Sequence, residues 1–392
     1  MSPDVYLLGA VRTPHGRYGG TLRDVRVVTL GALTATAAVE RAGLPADAVE
    51  ETVVANCRQA GNGPNPGRQM AVRAGFPLAS PAQTINMACA SGLKAVALAH
   101  GSVRAGDASV AVALAAESMS TMPYIAPYTL RWEGVGRGDV TLADGWRDGG
   151  TDPLCELNMG QTAELVAERY GISREDQDAW ALRSHQRVAA AWADGRFDGQ
   201  VVPVPLEDGG SFDRDETFRT TSSPEQLAKL RPSFVPDGTV TAGNASQMAD
   251  GAASVVLASA EVVAAHGLRP LGRLRSFSAV GVDPAVMGIG PTEAIPRALK
   301  AAGLAAGDVD LFEINEAFGA QIVQNVRELG LDEDRVNVNG GGIALGHPTG
   351  QSGCRLVVSL LHELTRRDAA IGVVSLCVGG GQGVAAVIER VA

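Results

Sequence analysis

The run Asn86-Met87-Ala88-Cys89-Ala90-Ser91-Gly92-Leu93-Lys94-Ala95 decides how the rest of this 392-residue chain is read. Ahead of it lies an extended piece, Ala82 to Asn86. Behind it, Leu93 to Val103 has the apolar residues of a buried or half-buried helix before Arg104-Ala105-Gly106-Asp107 ends the pattern. Cys89 therefore stands where a strand turns into a helix. Backbone N–H groups and the positive end of a helix dipole would meet its sulfur there and favour the thiolate. The small neighbours Ala88, Ala90, Ser91 and Gly92 let a substrate approach closely. A lone cysteine is more often a buried structural thiol, so the nucleophile reading leans on what else the chain supplies.

Around this turn the chain alternates strands and helices. Val5 to Val11, Glu51 to Ala55 and Ser109 to Ala115 read as strands, the last apolar enough for a sheet covered on both faces. Val28 to Ala42 and Arg68 to Ala74 read as helices. From about Thr121 the character changes to Gly-, Asp-, Arg- and Trp-rich sequence holding two helices, Gln161 to Tyr170 and Asp176 to Asp194. Long excursions of this kind in compact enzymes are usually functional. Alternation resumes with strands at Ala253 to Ser259, Leu271 to Val280, Leu311 to Ile314 and Ile371 to Leu376. Helices are expected at Glu261 to His266, Thr292 to Ala302, Ala317 to Leu329 and Gly350 to Leu364. The division expected is 1–120 with 249–270 returning to it, an inserted region 121–248, and 271–392.

The chain is long enough for two or three domains. Charged residues make up 19%, below the roughly 25% of ordinary soluble domains, and Gly is abundant at 48. Such a balance suits much buried backbone and a subunit interface. A net charge of −10 argues against a general nucleic-acid surface. Five cysteines without a CxxC pair suit a reduced, cytoplasmic protein, and neither a signal peptide nor a membrane-spanning run is expected.

The two ends of the chain share a rhythm. Strands end at Asn56-Cys57 and Glu117 on either side of the Cys89 turn; strands end at Asn315 and Cys377 on either side of a turn at His347. A duplication would pack the halves about a pseudo-two-fold axis, with corresponding helix starts meeting near it. Cys89 from one half would then face His347, Asn315 and Cys377 from the other.

Each of these residues has chemistry to offer. His347, in Asn339-Gly340-Gly341-Gly342-Ile343-Ala344-Leu345-Gly346-His347-Pro348, suits proton transfer near neutrality. Cys377 precedes Gly379-Gly380-Gly381, whose backbone N–H groups could hold an oxyanion. Asn315 could orient a water or donate to an oxyanion; alternatively it caps a helix with Glu316 in the first turn. A Cys–His–Cys zinc site is disfavoured, because zinc ligands usually come in closely spaced pairs. No metal is expected.

Several motifs in order resemble the thiolase family. They are Arg12-Thr13-Pro14-His15-Gly16, the Cys89 run, Met159-Gly160-Gln161-Thr162-Ala163-Glu164, Thr241-Ala242-Gly243-Asn244-Ala245-Ser246, Gly288-Ile289-Gly290-Pro291, Asn315-Glu316-Ala317-Phe318, Gly346-His347-Pro348 and Cys377-Val378-Gly379-Gly380-Gly381. The resemblance implies an α/β fold of two related mixed-sheet halves about a pseudo-two-fold, with an inserted loop domain. It implies a ping-pong thioester exchange, closest in pattern to acetyl-CoA acetyltransferases, in which two acetyl-CoA give acetoacetyl-CoA and CoA. Cys89 would match the nucleophile, His347 its base and Cys377 the second acid/base. One oxyanion hole would match Asn315 (through a water) with His347; the other would match the N–H groups of Cys89 and Gly379.

For coenzyme A the resemblance places Arg219 by the nucleotide, Ser246 by the pantetheine and Met159, Phe234, Ala317 and Phe318 as apolar walls. No permanently bound cofactor is implied, CoA thioesters being substrates, and a homodimer or homotetramer is. The chain departs from the acetoacetyl-CoA-forming pattern at Asn158, Gln247-Met248 and Gln351. A broader 3-ketoacyl-CoA thiolase or one for 3-oxoadipyl-CoA is therefore the alternative. More remote are a catalytically silent acyl-CoA-binding relative and a ketoacyl synthase; the latter usually pairs its Cys with two His or with His and Asn.

Overall fold

The computed structural model describes residues 4–391, the side chains of residues 148 and 149 excepted. β1 (Val5–Arg12) leads through α1 (Val27–Ala42), β2 (Glu51–Ala55), α2 (Pro66–Arg73), β3 (Ala82–Ile85) and α3 (Ser91–Ala105) to β4 (Val110–Ser118). The insertion carries α4 (Met159–Tyr170) and α5 (Arg174–Ala193). Beyond it come β5 (Ala249–Ser259), β6 (Gly272–Gly281), α6 (Gly290–Ala302), β7 (Leu311–Ile314), α7 (Gly319–Leu329), α8 (Ser352–Arg367), β8 (Ile371–Val378) and β9 (Gln382–Arg390). Residues 1–3 and 392, where the expected division and the reading of the N-terminus begin and end, lie outside the described residues. β9 was not expected from the sequence: its buried run follows three glycines and shows no alternation to mark it.

The principal strands are ordered β7-β8-β9-β6-β1-β5-β4-β2-β3, and the short strand Gly16–Arg17 pairs with β5. In the N-terminal half, β2 pairs parallel with β3 and β4, while β5 pairs antiparallel with β4 and β1. The C-terminal half repeats this. Phe312 in β7 bridges Val336 in parallel, β7 pairs parallel with β8, and β9 pairs antiparallel with β8 and β6. The halves join where β1 and β6 run antiparallel, Tyr6 opposite Arg273 and Leu7 opposite Gly272. Equal strand order and equal pairing senses establish the duplication.

Ladder partners align Ala55 with Ile314 and Ala115 with Ser375, hence Asn56 with Asn315 and Glu117 with Cys377. The starts of α3 and α8 align Ser91 with Ser352. Cys89 thus corresponds to Gly350, not to His347 as the spacing suggested. The glycine-rich turn before His347 contains a short helix, Gly342–Leu345, that the N-terminal half lacks.

Residue size along the strands sets the layers. In β4, Val112, Leu114 and Ala116 face the cluster formed with α1 and α2; Ala111, Ala113 and Ala115 face the cluster containing α3 and α8. Alanine on that face lets the two central helices lie close. A third cluster packs α6 and α7 on the outer face of the other half. The insertion is locked on by a buried ion pair. Asp215 accepts Arg12 Nη1 at 2.7 Å and Nη2 at 2.9 Å, together with the His15 backbone N–H and Trp192 Nε1. This accounts physically for the Arg12-to-Gly16 motif.

Candidate active site

Cys89 sits on a strained turn. Ala88, just before it, has φ of 45°, a left-handed conformation that a residue with a Cβ seldom adopts. Side chains over-determine the turn: Asn86 Oδ1 accepts the Ala88 N–H, while Ser91 Oγ accepts from Met87 N and donates to Ala88 O, both at 2.7 Å. Cys57 Sγ also donates to Ala88 O at 3.0 Å. The Cys89 thiol is held above its ordinary value by burial, partly offset by a backbone hydrogen bond from Gly379 and the charge of Arg58. Burial thus outweighs these two, contrary to the thiolate expectation, and the resting sulfur carries its proton.

An imidazole able to take that proton is available. His347 Nδ1 lies 2.6 Å from Ser352 Oγ, which itself donates to Pro348 O at 3.3 Å. Ser352 therefore accepts from Nδ1–H, leaving Nε2 as the unprotonated, accepting nitrogen. Asn315 Nδ2, 3.4 Å from Nε2, is consistent with this tautomer. Burial lowers the His347 pKa to about 3, with Arg355, His15 and Arg58 adding to the effect. The ring is neutral at any working pH. The turn that carries it is fixed from the other half: Glu117 accepts from Gly350 N at 2.8 Å and from Thr349 Oγ1 at 3.2 Å. Glu117 also accepts from Asn56 Nδ2, Cys57 N and Arg58 N.

Cys89, His347 and Gly379 line one cavity of about 370 Å³ with Met159, Phe234, Ser246, Ala317 and Phe318. Phe234 and Phe318 meet edge to face at 6.1 Å. Asn315 and Cys377 are fully buried behind the wall instead of on it. Cys377 packs with Met287, Ala317, Phe318, Met159 and Phe234. Its thiol is pushed far up, first by burial and then by the proximity of Cys89. Asn315 Oδ1 has no protein partner among the described residues. Asn315 is not a helix cap, because α7 starts only at Gly319 after Phe318. Its neighbour Glu316 is a buried anchor, accepting from Trp180 Nε1, Ser184 Oγ, Asn337 Nδ2 and Ile343 N.

Arg219 is exposed and lies outside this cavity. Residues unsought in the sequence also line it, among them Arg58, Trp146 and Met287. Trp146 lies over Gly150, where a Cβ would collide with its ring. Asn158, a departure from the family pattern, lines the cavity while capping α4: its side chain accepts from Gln161 N at 2.9 Å. Ser352, in the quoted Thr349-to-Gly353 run, could have been found as a hydroxyl five residues from the histidine. Among the described residues, no three His, Cys, Asp or Glu side chains converge as metal ligands.

A duplicated α/β fold that places a cysteine of one half and a histidine of the other on one cavity defines the class: two-halved, cysteine-dependent acyl-transfer enzymes. The thiolase N-terminal domain matches residues 5–261 and the thiolase C-terminal domain residues 268–390. The chain belongs to the thiolase family. It is 48% identical to an acetyl-CoA acetyltransferase of Pseudomonas aeruginosa, over 99% of each chain. Among solved structures it resembles the Bacillus anthracis acetyl-CoA acetyltransferase, with a TM-score of 0.96 and 42% identity over 100% of this chain and 99% of that one. It also resembles human mitochondrial 3-ketoacyl-CoA thiolase in complex with CoA, with a TM-score of 0.96 and 40% identity over 100% of this chain and 98% of that one.

Proposed function

We propose that this chain is an acetyl-CoA acetyltransferase, joining two acetyl-CoA reversibly into acetoacetyl-CoA and CoA. The observation that carries the reading is the shared cavity of Cys89, neutral His347 and the Gly379 turn. His347 Nε2 takes the Cys89 proton, and the sulfur attacks the acetyl-CoA carbonyl. The N–H groups of Cys89 and Gly379 hold the resulting oxyanion. CoA leaves with the Cys377 proton, so acetyl-Cys89 faces a Cys377 thiolate made strongly basic by burial. That thiolate removes an α-proton from the second acetyl-CoA. The enolate oxygen is held by protonated His347 and, through a water, Asn315. Its carbon attacks acetyl-Cys89, and the released sulfur recovers the proton from His347.

Coenzyme A enters along Ser246, Met159, Phe234, Ala317 and Phe318, with its nucleotide outside the cavity towards exposed Arg219. The chain divides into 1–120 with 249–270, the insertion 121–248, and 271–392. It works in the cytoplasm as a homodimer or homotetramer. Supporting an assembly, Tyr128 and Trp132 of the insertion are largely exposed, and no strand among the described residues pairs with the outer edge of β3. No helix among the described residues is long and apolar enough to cross a membrane. The test is CoA-dependent cleavage of acetoacetyl-CoA by the purified chain. Two acetyl-CoA per substrate consumed is the expected result, and no turnover would refute the reading.

A further inference from the structure

Arg58 is the one formally charged side chain lining the cavity of Cys89, among the described residues. It also lines an adjoining cavity of about 250 Å³, which shares Cys57, Arg58 and Asn86 with the first and continues along Met122, Pro123 and Ile125. The backbone of Arg58 is committed: its N–H donates to Glu117 and its carbonyl accepts from Asn62 Nδ2. Its guanidinium makes no ion pair or hydrogen bond with the described residues, and Nε is buried without a partner. Glu117 forms no ion pair with it, its oxygens accepting from Asn56, Cys57, Thr349, Gly350 and the Arg58 backbone. A half-buried guanidinium without an acceptor is costly, whereas a carboxylate satisfies it with two parallel hydrogen bonds.

We propose that Arg58 is a specificity residue that binds a carboxylate at the far end of the acyl chain, so that among 3-oxoacyl-CoA substrates longer than acetoacetyl-CoA the enzyme prefers those carrying such a group. This rests on the thiolase reading above. In cleavage, the Cys89 sulfur adds to the 3-oxo carbon, and the C2–C3 bond breaks with its electron pair moving to C2. Cys377 protonates that carbon, and acetyl-CoA leaves. The carboxylate-bearing acyl group remains on Cys89, its tail running past Cys57 and Asn86 into the second cavity beside Arg58, until the sulfur of CoA takes it.

Two probes of equal carbon number separate charge from length: 3-oxoadipyl-CoA and 3-oxohexanoyl-CoA. Both carry the same CoA, so any contact of Arg58 with CoA phosphates cancels in their ratio. The wild-type chain should cleave the carboxylate substrate with kcat/KM about 10- to 100-fold above the neutral one, the range of a charge-assisted hydrogen bond. Arg58→Leu should collapse that ratio towards one, and Arg58→Lys should retain part of it. A wild-type ratio at or below one overturns the proposal even if the variants fail to fold; so does a ratio unchanged in Arg58→Leu. Acetoacetyl-CoA cleavage by the same preparation separates the two failures. Turnover there without a carboxylate preference sinks only the role of Arg58, whereas no turnover of any substrate sinks the thiolase reading itself.

Discussion

Gly92 and Gly353, each the second residue of its helix, touch across the pseudo-two-fold axis. A Cβ on Gly92 would lie 2.5 Å from the Cys354 backbone nitrogen, and one on Gly353 would strike the Leu93 nitrogen. Both obstacles are backbone, so neither can swing aside. This contact sets how closely the N-termini of α3 and α8 approach, and thereby where Cys89 and His347 stand relative to each other.

Gly353→Ala should therefore force the helices apart, at a cost of about 1–3 kcal/mol of the kind overpacking brings. Thermal inactivation should be faster, and Cys89 acylation should slow more than CoA binding weakens. An unchanged inactivation half-life would show that the helices have slack.

Ser352→Ala removes the acceptor that fixes the Nδ1–H tautomer of His347. The rate of Cys89 acetylation should fall about tenfold, with KM for acetyl-CoA little altered. Because His347 is neutral down to about 3, kcat/KM should show no inflection near the ordinary 6.5 in the wild-type chain. An inflection there would mean that the imidazole is far wetter than its burial implies.

Cys377→Ser replaces a soft, ionisable thiol by a hydroxyl that does not ionise near neutrality. Condensation should fall at least about 100-fold, the scale of a lost general acid–base, while acetylation of Cys89 should fall much less. Equal losses in the two half-reactions would remove the separate role of Cys377, which its position behind the cavity wall makes a demanding test.

Buried ionisable groups shape stability on both sides of neutrality. His15, His185 and His347 have pKa values lowered to about 4, 4 and 3, in each case chiefly by burial. Unfolded histidines titrate near 6.5, so below that pH the unfolded chain binds protons that the folded chain refuses, and stability falls as pH drops towards 4. Glu313 works in the opposite sense. Burial raises it from 4.5 to about 8, so its contribution is complete below 4.5 and is lost as pH rises through 8. The two trends overlap from 4.5 to 6.5, where three histidines outweigh one glutamate, so urea midpoints should rise to a maximum near 6.5 and fall above it, and Glu313→Gln should flatten that fall. A midpoint that is level from 6.5 to 4 would contradict the burial of the histidines.

Much of this arrangement was legible in the sequence because local rules and the fold agree. Glu51–Ala55 is rich in β-branched residues, Thr52, Val53 and Val54, and it forms a strand over those residues. The Cys89 turn was visible from its small residues and the helix behind it. The halves were visible as a repeat, yet the short helix before His347 shifted its alignment by three residues. Burial was harder to foresee. Nothing local tells that Cys377 lies behind the wall, that the Cys89 thiol is raised, or that Arg58 turns its guanidinium to a cavity, because each depends on neighbours distant in the chain. Glu316, which locally suits a helix start, serves as a buried acceptor for four donors from three segments.

The most direct measurement is the intact mass of the chain after incubation with acetyl-CoA, followed by mapping of the modified peptide. The expected result is one acetyl group on Cys89, retained in Cys377→Ser, slowed in Ser352→Ala and absent from Cys89→Ala, with the label discharged by added CoA. An unmodified chain, or an acetyl group on any other residue, would contradict the assignment of Cys89 as the nucleophile.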